Sequence, residues 1–267
     1  MKKIIALFCL LILSFNASAQ TKIVPIVEMK VKGLLGGVLN GKFVDAKTTA
    51  AKLKGDENYT LFGIEGVNEG EFTVGKPTIG EDICTDFYNI EPSEEAVAGV
   101  ALGDGFRWNP MPRAVKPIDL NDATYKKIVA EVLAAKRITK TTTKLKQAVR
   151  VDLDGDGQEE VLIAATKYSS GDVSSSAKVG DYSFILLRKI VAGKVQNIII
   201  AGDFITKKVD FGAPNEYEIS AIADLNGDGK MEIILHSAYY EGSSTGVYEI
   251  KGNKAVEVAA LSAGCGV

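Results

Sequence analysis

Asp152-Leu153-Asp154-Gly155-Asp156-Gly157-Gln158-Glu159-Glu160 lies between two apolar runs, and Asp224-Leu225-Asn226-Gly227-Asp228-Gly229-Lys230-Met231-Glu232 repeats its pattern 72 residues later. Each stretch has oxygen-bearing side chains at positions 1, 3 and 5 and glycine at positions 4 and 6. Glycine adopts φ > 0 without penalty, so the chain can curl and aim those side chains at one centre. Calcium is a hard cation that takes six to eight oxygens at about 2.3–2.6 Å. The expected ligands are Asp152, Asp154, Asp156, the carbonyl of Gln158, and Glu160 in the first loop. In the second they are Asp224, Asn226, Asp228, the carbonyl of Lys230, and Glu232.

The spacing excludes an EF-hand, which needs a glutamate at position 12 between helices. Here position 12 is Ile163 or Leu235, and the last carboxylate falls at position 9, at the head of an aliphatic strand. A metal-free acidic hairpin turn is the competing explanation, since Asp-Gly favours such turns by itself. Two loops with matching ligands favour calcium. Four clustered carboxylates would repel by roughly 1–4 kcal/mol per close pair without a cation. Calcium is therefore expected to stabilise the protein, and the first loop, with one more acid, is expected to bind it more tightly.

The 72-residue offset extends beyond the loops. It places Leu145, Val149 and Val151 on Tyr217, Ala221 and Ala223, and Tyr168 on Tyr240. Apolar strands follow each loop at 161–165 and 233–235, with further strands at 183–191, 195–204, 246–251 and 255–261. Four antiparallel strands with one acidic hairpin is the content of one propeller blade.

Asp-x-(Asp/Asn)-Gly-Asp-Gly-x-x-Glu followed by an aliphatic strand resembles the calcium loops of FG-GAP and VCBS-type repeats. The resemblance covers residues 145–261. It implies β-propeller-like blades, as in the integrin α-subunit head, and a calcium-dependent binding or adhesion module outside the cytoplasm. The glycine-alanine-proline that follows the metal strand in that family is absent, and two repeats are too few to close a propeller. Either the N-terminal half supplies further blades or the repeats pack differently.

That N-terminal half reads as short strands broken by glycine, at 26–31, 42–44, 59–64, 71–74 and 83–90, with a bent or edge strand within 31–39. Trp108, Pro110, Pro112 and Pro117 then mark a linker or rigid covering loop, in which Trp108 is expected to anchor packing. Asn121 or Asp122 can cap an amphipathic helix in which Tyr125, Ile128, Val129, Val132 and Leu133 share a face. The expected fold is mainly β, organised as residues 1–19, 20–118, 119–143 and 144–267.

Residues 1–19 read as a cleavable export signal: Lys2 and Lys3, an apolar run over 4–13, and Ala17-Ser18-Ala19 before the cut. The run is too short to span a bilayer, which takes roughly 20 residues. Without this segment the chain has 29 basic and 34 acidic residues, a net charge of −5. Nucleic acid and anionic membrane, which need a basic patch, are not expected partners. The expected location is secreted or periplasmic, with no membrane insertion after cleavage. In such a compartment Cys84 and Cys265 are either a disulfide or two separate thiols.

No nucleophile motif accompanies His236, the single histidine, and the acids of the N-terminal half are scattered. The expectation is an exported module that binds a protein or glycan, with calcium in a structural role. The alternatives are a secreted hydrolase with a site in the N-terminal half, and a structural envelope component. An exposed aromatic patch near Tyr168, Tyr239 and Tyr240 would favour the binding module.

Overall fold

The computed structural model describes residues 22–65, 68–93, 98–171, 176–208 and 214–266. The expected export signal and its cleavage point after Ala19 lie outside the described residues. Among those described, no helix is long and apolar enough to cross a membrane.

Three antiparallel sheets are formed by the described residues. The first has eight strands: β1 (Val24–Glu28), β2 (Gly33–Leu39), β3 (Lys42–Asp45), β4 (Asn58–Phe62), β5 (Asn68–Thr73), β6 (Thr78–Ile79), β7 (Tyr88–Asn89) and β8 (Val100–Gly103). They run in the order β5-β4-β8-β1-β2-β7-β6, with β3 on β2. The glycine-rich stretch expected as a bent or edge strand is β2, which lies inside the sheet. Its Gly36 has φ +147°, and a Cβ there would meet the Val44 carbonyl at 2.4 Å. The strand expected over 83–90 is shorter than its apolar pattern suggests. A 3₁₀ turn at Asp82–Cys84 comes first, and only Tyr88–Asn89 pairs.

The second sheet joins β9 (Lys116–Pro117), β10 (Leu145–Val151), β11 (Glu160–Lys167), β12 (Tyr182–Val191) and β13 (Lys194–Phe204) in the order β13-β12-β11-β10-β9. The third is a four-stranded meander of β14 (Glu216–Ala223), β15 (Glu232–Tyr239), β16 (Gly242–Lys251) and β17 (Lys254–Gly266).

Side-chain alternation stacks these sheets with the third in the middle. Val24, Ile26, Leu35, Val100 and Leu102 of the first sheet pack on Ala221, Ala223, Ile234, Val247 and Leu261 of the third. The other face of the third sheet presents Ile219, Ile222, Ile233 and Leu235 to Val149, Val151, Leu162, Ile185 and Leu187 of the second. A bulge between Ile219 and Ala221 makes this possible, because an extra residue flips the parity of β14. The displaced Ser220 donates to buried Glu28 of β1. Lys146 of β10 pairs with Glu218 of β14 at 3.2 Å, and Lys30 pairs with the same carboxylate from the other side.

Helices lie at both ends of the stack. Helix α1 (Ala46–Ala50) contributes Ala50 to the cluster on the outer face of the first sheet. Helix α2 (Ala123–Ala135) starts where the sequence places it: Asp122 accepts from Thr124 N–H at 2.7 Å and Tyr125 N–H at 3.3 Å. Its expected face, Ile128, Val129, Val132 and Leu133, covers Ala148, Ile163, Phe184 and Leu186 of the second sheet. The fold is mainly β with one amphipathic helix between the halves. Three stacked sheets, rather than a closed ring of blades, are formed by the described residues. Cys84 and Cys265 form a disulfide that ties the 3₁₀ turn to β17, with their Cα atoms 5.4 Å apart.

Candidate metal centre

The two acidic loops close hairpins of identical register, Val151 opposite Glu160 and Ala223 opposite Glu232. Most of their internal hydrogen bonds also match, except that Asn226 Oδ1 accepts Asp228 N–H at 2.9 Å and the equivalent Asp154 Oδ1 does not accept from Asp156. Asp152 accepts from Gly155 N–H at 2.8 Å and Gly157 N–H at 3.1 Å, and Asp224 from Gly227 at 2.7 Å and Gly229 at 2.9 Å. Asp156 and Asp228 each accept from the N–H two residues on, at 2.8 Å. Glu160 closes the first loop by accepting Leu153 N–H at 2.9 Å, and Glu232 the second by accepting Leu225 N–H at 2.7 Å. Such curling requires left-handed backbone at the glycines, with φ of +77° and +85° at Gly155 and Gly157 and +79° and +84° at Gly227 and Gly229.

In the first loop the carboxylates of Asp152, Asp154 and Asp156 come within 4.8 Å of one another. Asp154 Oδ1 is buried and has no hydrogen-bond partner among the described residues. An ionised carboxylate has about four lone-pair sites, so the N–H bonds made by Asp152 and Asp156 leave acceptor capacity on both. All donors here are oxygens, which suits a hard cation such as calcium. Glu160 stands outside the trio: its second oxygen meets Lys189 Nζ at 2.7 Å, and the same ammonium reaches Asp154 Oδ2 at 2.8 Å. Burial pushes the Glu160 carboxyl up, with Lys189 and Leu153 N–H pulling back. Burial works against the Lys189 charge, yet its two acid partners hold it above the usual ammonium range.

The second loop differs where the first has Lys189. Arg188 opposes Val161 on β11, and Tyr248 opposes Ile233 on β15. One residue on, Lys189 and Glu249 therefore occupy equivalent places, a cation beside one loop and an acid beside the other. Burial pushes Glu232 up to about 8, and Asp224, Asp228 and Glu249 add to the shift. Burial also raises Asp224. Asp154, Asp228, Glu232 and Glu249 share the wall of a cavity of about 70 Å3 between the loops with Lys230 and Lys251, and Lys251 pairs with Glu249 at 2.6 Å.

The proline-rich segment before α2 holds the two loops side by side. Arg113 donates to the carbonyls of Asp152 and Leu153 in the first loop and to that of Gly229 in the second, the last two at 2.9 and 2.8 Å. Met231 N–H joins Leu153 O at 2.8 Å, and Asp224 N–H joins Pro110 O at 2.8 Å. Trp108 is the expected packing anchor. It also donates from Nε1 to Asp224 O at 2.8 Å, and its ring lies where a Cβ on Gly227 would fall, at 2.9 Å. Arg113, Lys189 and Glu249 escape a motif-based reading because none belongs to either loop. The charged pair Arg188-Lys189 inside the apolar run Tyr182–Val191 is the one sequence signal for Lys189.

Of the three tyrosines expected near an exposed patch, Tyr239 and Tyr240 pack edge-to-face with ring centroids 6.3 Å apart. Tyr168 is buried with its hydroxyl on the Asn215 carbonyl, Tyr239 is half-buried, and Tyr240 is exposed. His236 is buried, 3.4 Å from Thr245 Oγ1, and burial lowers its pKa to about 4. Comparison with protein-family models, with curated proteins and with solved structures returns no match.

Proposed function

We propose that this protein is an exported module that binds a protein or glycan and uses Ca2+ as a structural clamp, in propeller-type repeats of the FG-GAP/VCBS kind. The observation that supports it best is Asp154 Oδ1, a buried oxygen without a hydrogen-bond partner among the described residues, within an acidic trio. Lys189 satisfies the other oxygen of this carboxylate, but a buried oxygen that accepts nothing is costly, and a divalent cation at that point would offset the cost. Asp152, Asp154, Asp156, the Gln158 carbonyl and Glu160 would hold one ion. Asp224, Asn226, Asp228, the Lys230 carbonyl and Glu232 would hold another. The ion supplies charge neutralisation and fixes the loop shape that each glycine pair permits.

Arg113 and Trp108 make this role structural. They join the loops to the segment that crosses from the first sheet to the second, so fixing the loops fixes the junction of all three sheets. Calorimetric titration with CaCl2 tests the proposal. Two binding events are expected, and Asp154→Asn should abolish or weaken one of them by roughly tenfold or more, the cost of removing one charged ligand. Absence of calcium binding to the intact chain overturns it.

A further inference from the structure

A second concave feature lies on the face of the third sheet that turns toward β13. It is an open cleft of about 460 Å3, within the ~300–1,000 Å3 of small-molecule sites. Strand register explains its shape. Ser237 on β15 opposes Ser244 on β16, which opposes Gly264 on β17, and the neighbouring rung pairs Gly246 with Ser262. These small residues leave a depression where larger ones would fill the space between sheets. A Cβ on Gly264 would fall 2.5 Å from Ser244 Cβ, so that point of the floor admits no side chain.

Three half-buried tyrosines stand along the cleft, one from each of three strands. Tyr217 of β14 flanks the Ser237 rung, and Tyr248 of β16 belongs to the rung of Ile233. Tyr239 is six residues from Ile233 along β15, which at ~3.4 Å per residue separates the two end tyrosines by roughly 20 Å. The Tyr248 ring and the Glu257 carboxylate reach over Gly246, lying 3.5 and 3.1 Å from where its Cβ would be. Among the described residues, Asp86 and Glu257 are the charged members of the lining, and no Lys, Arg or His contributes to it.

That chemistry selects among ligands. Two carboxylates and no cation disfavour an anion. A compact cation would want rings converging within about 6 Å of it, whereas these rings are spread along the strands. Tyrosine offers a rigid amphipathic surface, apolar on its face and hydrogen-bonding at its tip. Serine hydroxyls and a carboxylate between such rings complement a chain of hydroxyls on apolar CH faces. We infer that this cleft binds a neutral oligosaccharide lying along β15 and β16, the tyrosine rings against its sugar faces and Ser237, Ser244 and Glu257 on its hydroxyls. The inference rests on the reading of the protein as a binding module, and gives that module a site and a ligand class.

The test is calorimetric titration of the calcium-loaded full chain with cellohexaose, laminarihexaose, mannohexaose and chitohexaose, with hexagalacturonate as the anionic probe. At least one neutral hexasaccharide binds and hexagalacturonate does not. Tyr239→Ala weakens that binding by roughly tenfold or more, as loss of an aromatic anchor does. Ser262→Trp, which puts a bulky ring at an exposed point of the floor, blocks it while leaving the melting temperature unchanged. No binding by any neutral probe overturns the inference, as does equal binding of hexagalacturonate or binding untouched by Ser262→Trp. Calcium-dependent melting is read on the same samples. Its loss with sugar binding intact would refute the metal reading alone, and the reverse result would refute the cleft alone.

Discussion

Lys189 Nζ lies 2.7 Å from Glu160 Oε1, a buried ion pair beneath the first acidic loop. This pair changes the charge that a cation meets there. The first loop has four carboxylates, Asp152, Asp154, Asp156 and Glu160, but one ammonium among them. The second has three, Asp224, Asp228 and Glu232, and faces Glu249 across the small cavity; the partner of Glu249, Lys251 at 2.6 Å, is exposed and therefore more screened than the buried Lys189.

The second loop is therefore expected to bind calcium more tightly, the reverse of the order that counting acids within the loops gives. Glu249→Gln should weaken the second site by at most about 1 kcal/mol, or about fivefold, since the exposed Lys251 compensates part of the Glu249 charge. Calorimetric titration of an Asp228→Asn background and an Asp156→Asn background assigns the two affinities separately. Tighter binding at the first loop would contradict the charge argument.

Lys189→Met should be more damaging without calcium than with it. Removing the ammonium strands Glu160 in a buried position, which typically costs ~3–5 kcal/mol. A cation in the loop supplies part of the missing charge. Urea unfolding in chelator and in calcium measures the difference, and an equal loss in both would mean that the ion does not reach Glu160's surroundings.

Arg113→Ala should weaken both sites together, because one guanidinium holds carbonyls of both loops. Loss of charged hydrogen bonds of this kind costs ~1.5–3 kcal/mol each at most. Arg113→Lys should not restore them, since a single ammonium cannot span the donors that the planar fork presents. Titration of either variant showing one site unaffected would sink the idea of a shared clamp.

His236 predicts an acid-side loss of stability. Its folded pKa, near 4, lies below the ordinary value of 6.5, so the unfolded chain takes up the proton first. Stability from a neutral His236 is complete above pH 6.5 and is lost as pH falls toward 4, by up to about 3 kcal/mol. Lys30 and Lys146 face it and oppose protonation, while Glu218 and Glu216 favour it, with burial the largest cause. His236→Asn should flatten the fall in urea midpoint between pH 7 and pH 4.5 relative to the wild type. An unchanged slope would contradict burial in the neutral form.

Much of the framework could be read from residues close together in the chain. The Asp122 cap and the spacing of Ile128, Val129, Val132 and Leu133 specify α2 by themselves. The loop glycines specify the left-handed turns. The disulfide was open in the sequence and is settled by the approach of Cys84 to Cys265.

What stayed hidden depends on contacts between distant segments. The fixed 72-residue offset matches Lys189 with Leu261, but the longer Ser169–Asp181 connection delays β12 relative to β16, so the structural partner is Glu249. No local pattern shows that a proline-rich segment would lay Arg113 across two loops. Nor does hydropathy reveal that the third sheet lies between the other two, because alternation says a face is buried and not against what. The bulge at Ser220 is similarly silent in the sequence, although the parity of β14 depends on it.

If calcium is the structural support of the paired loops, its removal must cost stability. Melting temperature of the full chain in excess CaCl2 against excess chelator tests this directly. Calcium at about 100 times its Kd should add ~2.7 kcal/mol per site. At ~2–4 °C per kcal/mol for a chain of this size, one occupied site should raise the melting temperature by roughly 5–10 °C. Equal melting temperatures in the two conditions would contradict it.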